Sequence, residues 1–489
     1  MLKAAAVFSD HMVLQRERPV AVFGEADALV TATLDVVRAE AQPVGGRFHV
    51  EFPPMPAGGP YELTLACGDE RIVFTDVMVG EVWLCGGQSN MEFRLHEGKG
   101  GAAEAATAGD DRLRFYTVNQ EAEVDEAMLE RERATAWKPL APGTCGDVSA
   151  VAYYAGRRLR EALGVPVGML VCCVGGTEIS NWISRSTLMT LPEGRAALEA
   201  FEKSIEGITD EAFARASADY QARVDRWVEA AETLRRETPD VRGADVAKAV
   251  GDFPWPPPSG PHMLRRPGNL FRTMTGRVAP YGARGLLWYQ GESDSGKAGD
   301  YEALFTALIA DWRRAFENDG LFVVTAQLPN YASDPAAEDW PAIREIQKRV
   351  SEAVNGCAVA CLLDCGDSTD LHPWDKVRPG RRMANLALQH AYGLPVDAEA
   401  PRLLRAAAEG DGLRLRFTKP LAALSGSLRS LKVNGAAATA ARVSGGELWI
   451  EAPAPAKVAY AIENDPAACL FSEDGLPAFP FETDVQRSH

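Results

Sequence analysis

The stretch Glu81–Glu92, EVWLCGGQSNME, decides the fold of this chain. It predicts a short apolar strand over Val82–Cys85, a turn at Gly86 and Gly87, and a helix that begins at Ser89. A serine in that position lies at the carboxyl end of a sheet, beside helix N–H groups that can meet a developing negative charge. This fits the nucleophile of an esterase. The alternative is that Ser89 only caps the helix, which is the commoner use of serine before a helix.

Two later stretches also place polar residues directly after predicted strands. The cluster GGTE at residues 175–178 follows the apolar run 167–174, and the cluster DLHP at residues 370–373 follows the apolar run 357–363. Ligand-binding residues of α/β proteins lie at the carboxyl ends of strands. Both clusters therefore strengthen the nucleophile interpretation of Ser89.

Together these stretches resemble the SGNH hydrolases, and in particular the sialate O-acetylesterase-like carbohydrate esterases. The family pattern includes GQSNM, GGT, WYQGES and a late D-x-H, which this chain has in the same order at residues 87–91, 175–177, 288–293 and 370–372. The resemblance implies an SGNH (flavodoxin-like) three-layer α/β/α sandwich. It also implies a serine esterase that removes O-acetyl groups from a carbohydrate.

Length and charge limit the classes of function. The chain has 489 residues with 46% hydrophobic residues, enough for two or three domains with real cores. A net charge of −17 argues against nucleic acid and anionic membrane surfaces, which both require a basic footprint. An acetylated glycan or oligosaccharide fits better as substrate, and a homo-oligomer stays open.

The cysteines predict a reducing compartment. Nine cysteines show no spacing typical of a disulfide scaffold. Four of them lie in apolar runs, as buried free thiols do: Cys85, Cys172, Cys173 and Cys361. The apolar segment within residues 1–10 is too short for a signal peptide. We therefore expect a cytoplasmic protein, with a previously removed leader as the alternative.

Strands flank a central α/β region. Residues 48–52 and 61–65 alternate with period two and predict an N-terminal β-domain over 1–78. Residues 413–417 alternate likewise, and Asn434-Gly435 is a hairpin signal, so we predict a C-terminal β-domain over 399–489.

Between them, residues 79–398 show five alternations of strand and helix, which predict a parallel sheet covered on both faces. A helical insertion at about 193–262 interrupts this pattern. It either borders the site or is a peripheral decoration.

Acyl transfer requires a nucleophile, a base, a group that orients the base, and donors for the oxyanion. Ser89 would attack, His372 would be the base, and Asp370 would orient the imidazole. Asp367 and Asp375 flank this pair, and spacing alone leaves them open as the orienting group.

His96 competes with His372 for the role of base. If a helix begins at Ser89, His96 lies about 10 Å along its axis, at about 1.5 Å per residue, too far for direct proton transfer. We therefore predict a substrate contact or a surface residue.

The oxyanion hole should combine the backbone N–H of Ser89 with an N–H of the turn at Gly175 and Gly176. Gln290 is the predicted side-chain donor. Glu292 should not line the hole, because a carboxylate repels an oxyanion. The candidate substrate contacts are Gln88, Asn90, His96, Glu292 and Trp374.

Tryptophans next to the motifs could stack on a sugar, but packing is the commoner use: Trp83, Trp182, Trp288 and Trp374. If the substrate is a sialate, its carboxylate could be received by an arginine, for which the candidates are Arg265, Arg266 and Arg344. Neither a metal cluster nor a phosphate-binding loop is visible, and no cofactor is expected. Two alternatives to a sialate esterase remain: an acetylxylan or other plant-polysaccharide esterase, and a non-catalytic carbohydrate-binding protein.

Overall fold

The computed structural model describes residues 1–424 and 426–486. The last residues of the predicted 399–489 domain, with His489, lie outside the described residues. The chain packs as two compact units: residues 1–290 with 303–323, and residues 291–302 with those from Val324 onwards. The three domains predicted from the sequence remain a prediction.

The first unit opens with strands that pair mostly in antiparallel fashion. Their bounds are β1 Leu2–Ala4, β2 Val13–Gln15, β3 Val20–Ala26, β4 Val30–Leu34, β5 Val37–Ala41, β6 Arg47–Phe52, β7 Gly58–Cys67 and β8 Glu70–Gly87. Along β6, Phe48, Val50 and Phe52 are buried and the residues between them are exposed, which is the period of a strand with one face in the core. The strands predicted over 48–52 and 61–65 are confirmed.

Strand β8 passes through the predicted domain boundary without a break. It is 18 residues long and changes from alternating exposure to complete burial at Val77. Its first half pairs with β7 in antiparallel fashion, and its second half leads to the turn before Ser89. The change of sequence pattern near residue 78 therefore records a change of burial along one strand.

From Ser89 onwards helices and strands alternate. Their bounds are α1 Ser89–Glu92, α2 Gly101–Thr107, β9 Asp110–Thr117, α3 Glu126–Arg133, β10 Lys138–Leu140, α4 Ala150–Leu163, β11 Val167–Cys173, α5 Arg185–Leu188, α6 Pro192–Ser204, α7 Asp210–Glu237, α8 Gly243–Val250, α9 Gly276–Val278, β12 Gly285–Tyr289, α10 Ala298–Ala315 and β13 Phe322–Ala326. Short 3₁₀ or π turns cover Leu95–Glu97, Ile179–Trp182, Phe271–Thr275 and Glu292–Lys297.

In the first unit, strands of the large sheet lie in the order β10-β9-β11-β8-β12. Strand β8 thus lies between β11 and β12. Numbered along the chain, these three strands have the spatial order 2-1-3, which begins the flavodoxin-like order 2-1-3-4-5. They pair in parallel. The sheet as a whole is mixed, because β7 stays paired with β8 and β10 runs antiparallel to β9. The prediction of a parallel sheet was wrong in this respect, and the three-layer arrangement remains a prediction.

The second unit continues the alternation and ends in strands. Its further bounds are α11 Trp340–Ala353, β14 Cys357–Ala360, α12 Val377–His390, β15 Leu403–Glu409, β16 Gly412–Phe417, β17 Leu421–Leu424, β18 Leu431–Val433, β19 Ala436–Ala437, β20 Ala441–Ser444, β21 Glu447–Ile450, β22 Ala456–Tyr460, β23 Leu470–Ser472 and β24 Phe481–Val485, with a 3₁₀ turn at Leu428–Ser430. Asn434 and Gly435 both have positive φ in the hairpin between β18 and β19, as predicted. The protein is thus a mixed α/β protein with further all-β sheets near its C-terminus.

All nine cysteines lie in the described ranges, where each is a free thiol. The four predicted to be buried, Cys85, Cys172, Cys173 and Cys361, are buried. Among the described residues, no helix combines the length and the apolar character that a membrane crossing requires.

Candidate active site

Ser89 stands directly after β8, at the carboxyl end of the strand. The chain turns at Gly87, whose φ is +138°, and a Cβ there would lie 2.0 Å from the carbonyl oxygen of Tyr289. Two backbone bonds hold the turn: Gln88 N–H donates to Tyr289 O at 3.0 Å, and Val174 N–H donates to Gly87 O at 3.1 Å. Only glycine fits this position.

The structure assigns the helix cap to Gln88, whereas Ser89 is the first residue of α1. The cap makes no side-chain hydrogen bond to the helix. Ser89 is therefore not the N-cap of this helix. Its side chain is half-buried, which leaves part of it accessible.

The glycine turn after β11 lies beside Ser89. Cys173 is paired with Gly87 across the two parallel strands, so both turns leave the sheet at the same edge. A Cβ on Gly175 would lie 3.3 Å from the Cβ of Ser89. The first unit thus brings together the serine and the glycines that the sequence singled out.

Glu92 organises this turn, a role that sequence reasoning missed. Its Oε2 accepts the N–H of Gly175 at 2.5 Å, and its Oε1 accepts Nε2 of Gln120 at 2.6 Å. Burial raises the pKa of Glu92, while these hydrogen bonds and the charge of Arg265 act in the opposite direction. The available signal was its place three residues after Ser89, on the same helical turn.

We expect Glu92→Gln to lower kcat for ester hydrolysis by about 10- to 100-fold, with KM changed by less than about twofold. An amide offers only one acceptor oxygen for two donors, so the glycine turn would shift, and small misplacements of reacting groups are costly. The control is Glu104→Gln, another hydrogen-bonded carboxylate, which accepts from the hydroxyl of Tyr153. Equal kcat values for the two variants would show that Glu92 acts on stability alone.

The predicted oxyanion donors have different surroundings. The N–H of Gly175 already donates to Glu92. Gln290 is completely buried, and its Nε2 donates to Gln88 Oε1 at 3.2 Å and to Thr177 O at 3.0 Å. These bonds use both amide protons of Gln290 within the protein, so a role as donor to substrate would require its rearrangement.

Two candidate substrate contacts next to the serine are inside the protein. Gln88 and Asn90 are 2% and 0% exposed. Gln88 accepts the hydrogen bond from Gln290. We therefore expect both residues to support the turn instead of touching substrate.

His96 lies in a cluster of ion pairs. Its Nδ1 is 2.9 Å from Gly146 O, and its Nε2 is 3.5 Å from Glu232 on helix α7. His96, Glu97 and Glu232 lie close enough to hold a metal ion. Arg94 already pairs with Glu97 at 3.0 Å and with Glu232 at 2.9 Å, so the acidic oxygens are neutralised without a metal.

The second unit holds the predicted base. Asp370 Oδ1 accepts the backbone N–H of His372 at 2.9 Å, and both residues are partly exposed. Asp367 accepts from Thr369 N at 2.8 Å, and Asp375 from Val377 N at 3.1 Å. All three aspartates thus brace the loop by accepting a backbone N–H two residues further on, and for Asp370 this N–H belongs to His372. Trp374, in the same loop, is partly exposed.

The loop ends at a buried lysine, Lys376, which precedes helix α12. Lys376 is 1% exposed, and burial lowers its pKa to about 7, against the opposite effect of Glu292 and Asp370. Glu292 is itself 7% exposed. Its burial beside a lysine argues against the predicted role of Glu292 as a substrate contact.

The three candidate arginines for a substrate carboxylate differ in their partners within the protein. Arg344 is completely buried, and its guanidinium donates to four backbone carbonyls, those of Leu328, Pro329, Glu463 and Asn464. Arg266 pairs with Glu123 at 2.6 Å. Arg265 remains, with its Nε donating to Gly175 O at 2.7 Å.

The insertion borders the serine region. Gln221 of α7 lines a cleft of about 960 Å³ together with Asn119, Gln120, Glu121, Arg131 and Ala134. Gln120 also donates to Glu92 and to the carbonyl of Cys173 at 3.0 Å. The cleft therefore begins next to the glycine turn, and its walls are mainly amides and charged groups.

Three of the four tryptophans predicted to pack lie in the core. Trp83, Trp182 and Trp288 are completely buried, and Trp182 and Trp288 meet edge to face with ring centroids 6.1 Å apart.

Comparisons with known proteins agree with this architecture. A model of the family described as carbohydrate esterase, sialic acid-specific acetylesterase, matches residues 79–233 and 260–389. The chain is 25% identical to the sialate O-acetylesterase of Rattus norvegicus over 521 residues, 96% of this chain and 88% of that protein. It is 29% identical to the sialate O-acetylesterase of Mus musculus over 338 residues, 64% of this chain and 56% of that protein. The crystal structure of a novel carbohydrate acetylesterase from Xanthomonas citri has a TM-score of 0.74 at 25% identity, covering 99% of both chains.

The family match includes residues 193–233 and leaves out residues 234–259. The first part of the predicted insertion is thus common to the family, which sequence reasoning did not expect. The match spans more than half of the chain. The protein is therefore a carboxylic ester hydrolase that belongs to the family of sialic acid-specific acetylesterases among the carbohydrate esterases.

Proposed function

We propose that this chain is a serine esterase that removes O-acetyl groups from a carbohydrate through an acyl-enzyme. The observation that carries the proposal is the position of Ser89, half-buried on a glycine turn at the carboxyl end of β8, with Gly175 against its Cβ. Ser89 Oγ attacks the acetyl carbonyl, and His372 takes its proton. The sugar hydroxyl leaves with that proton, and water then releases acetate from the serine.

Asp370 holds the imidazole of His372 in one tautomer. Its Oδ1 is engaged by the backbone N–H of His372, so the carboxylate is already oriented toward this residue. Among the oxyanion donors, we propose the backbone N–H groups of Ser89 and Gly176, since that of Gly175 serves Glu92. No step of this scheme requires a cofactor.

The substrate we propose is an acetylated glycan, with a sialate as the first candidate. The relatives from rat and mouse are named sialate O-acetylesterases. Arg265 is the arginine we assign to a substrate carboxylate, because its Nε bonds to Gly175 O next to Ser89, whereas Arg266 pairs with Glu123 and Arg344 with backbone carbonyls. The Xanthomonas citri protein is named only a carbohydrate acetylesterase. Acetylated xylan is therefore the second candidate.

The wild-type protein should release acetate from at least one acetylated sugar and hydrolyse 4-nitrophenyl acetate. Acetate release would be measured with O-acetylated N-acetylneuraminic acid, acetylated xylo-oligosaccharides and the nitrophenyl ester under the same conditions. The sugar with the highest kcat/KM identifies the substrate class. A folded protein that releases acetate from none of the three would contradict the proposal and favour the carbohydrate-binding alternative.

We further propose that the protein works in the cytoplasm. The support is that all nine cysteines, which lie within the described ranges, are free thiols, and free thiols persist most readily in a reducing compartment.

A further inference from the structure

Trp255 is an exposed aromatic residue that the family does not explain. It is 55% exposed and is the one exposed tryptophan among the described residues. It lies in the proline-rich part of the insertion, within residues 234–259, which the family model leaves out. Tryptophan is enriched at binding interfaces, because it combines a large apolar ring with a polar N–H.

The edge of the indole ring touches the glycine turn beside the nucleophile. A Cβ on Gly176 would lie 2.1 Å from Cη2 of Trp255, and Gly176 has a φ of +64°. Only glycine allows this contact. The neighbouring Gly175 packs against Ser89, so the ring stands next to the residue that flanks the nucleophile.

Arg265 fixes the ring from one side. Its guanidinium lies 5.3 Å from the centre of the Trp255 ring, and its Nε donates to Gly175 O at 2.7 Å. Burial lowers the pKa of Arg265 from its usual range, and the charge of Glu92 opposes this effect. Trp255 thus has one edge on Gly176 and Arg265 near its ring, and still keeps 55% of its surface exposed.

Phe253 provides a contrast within the same segment. It is 43% exposed, but its ring packs edge to face on Trp227, with centroids 5.2 Å apart. Trp227 is anchored in turn by a hydrogen bond from its Nε1 to Gly251 O at 2.7 Å. Exposure alone therefore does not show that an aromatic residue of this segment lies near Ser89. For Trp255, the contact with Gly176 shows it.

We propose that Trp255 is the platform on which the sugar ring of the substrate stacks while its acetyl group reaches Ser89. The C–H face of a pyranose packs well on an indole, and a ring that is already fixed loses little freedom on binding. In the adjacent cleft, the side-chain oxygen of Gln120, whose amide protons are used by Glu92 and Cys173 O, and the amide of Gln221 offer partners for sugar hydroxyls. This inference rests on the proposed function and adds the residue that selects a sugar ester over a simple one.

The test separates sugar binding from ester hydrolysis. Calorimetry on the Ser89→Ala background would measure the affinity for acetylated xylotriose and for O-acetylated N-acetylneuraminic acid, with and without Trp255→Ala. We expect Trp255→Ala to weaken binding of the preferred sugar by about tenfold or more, and Trp255→Phe to retain most of the affinity. Phe253→Ala, the matched control, should change it by less than about twofold.

Hydrolysis by the otherwise wild-type enzyme gives the second readout. Trp255→Ala should lose about tenfold more kcat/KM on the sugar ester than on 4-nitrophenyl acetate, mainly through KM. Equal affinities with and without Trp255, no binding of either sugar, or equal losses on sugar and nitrophenyl esters would each overturn the platform. Hydrolysis of sugar esters that persists in those cases would leave the proposed esterase function intact, so the two failures are distinguishable.

Discussion

Ser89→Ala should reduce ester hydrolysis by roughly 10⁴-fold or more in kcat, the range for loss of a nucleophile in a catalytic triad. The turn should survive the change, because its bonds run from Gln88 N–H to Tyr289 O and from Val174 N–H to Gly87 O. Neither bond uses the hydroxyl of Ser89. We therefore expect a midpoint of thermal unfolding close to that of the wild type.

Covalent labelling identifies the nucleophile independently of the kinetics. A serine-directed phosphonate should modify the wild type at Ser89, as seen by mass spectrometry of the digested protein, and should leave Ser89→Ala unlabelled. Ser204→Ala is a suitable control, because this exposed serine only donates to the carbonyl of Phe201 at 2.7 Å. A label on any peptide without Ser89 would refute the assignment.

His372→Ala should cost about 10³-fold or more in kcat, since no other group in the proposed scheme takes the proton from Ser89. His96→Ala should cost less than about tenfold. The imidazole of His96 is engaged with Gly146 O and stands beside Glu232, so its loss should affect the contact with α7 more than the chemistry. The reverse order of the two variants would show that the base has been misassigned.

The aspartates of the same loop complete this test. Asp370→Asn should lower kcat strongly with little change in KM, because the imidazole loses the group that fixes its tautomer. Asp367→Asn and Asp375→Asn are matched controls that should change kcat by less than about tenfold. Each of them accepts the backbone N–H of the residue two positions further on, as Asp370 does, but this residue is Thr369 for Asp367 and Val377 for Asp375. If Asp367→Asn lost most of its kcat while Asp370→Asn stayed active, Asp367 and not Asp370 would be the third member of the triad.

Local conformation could be predicted from the sequence wherever it depends on neighbours along the chain. The apolar run before Gly86 predicted the strand that ends at Gly87. The hairpin at Asn434-Gly435 followed for the same reason. The order of the motifs predicted the family, and the family match confirms it.

The mixed sheet could not be predicted in this way. The sequence pattern changes near residue 78, yet β8 continues through it, because hydrogen bonds to β7 and then to β11 keep the backbone extended. Strand pairing is a property of two segments that are distant in sequence. A change of composition therefore marked a change of burial and not the end of an element.

The sequence by itself determined the turn before Ser89, the glycine turn at residues 175 and 176, the helical character of residues within 193–262, and the family. Tertiary structure alone decided what surrounds them. Glu92 accepts a hydrogen bond from Gly175 N–H, Gln290 donates its amide to Gln88, and the ring of Trp255 contacts Gly176. The physical reason is that φ preferences and burial periodicity are local properties of the chain. Which polar group is already paired, and which aromatic face stays exposed, depends on elements that meet only when the chain has folded.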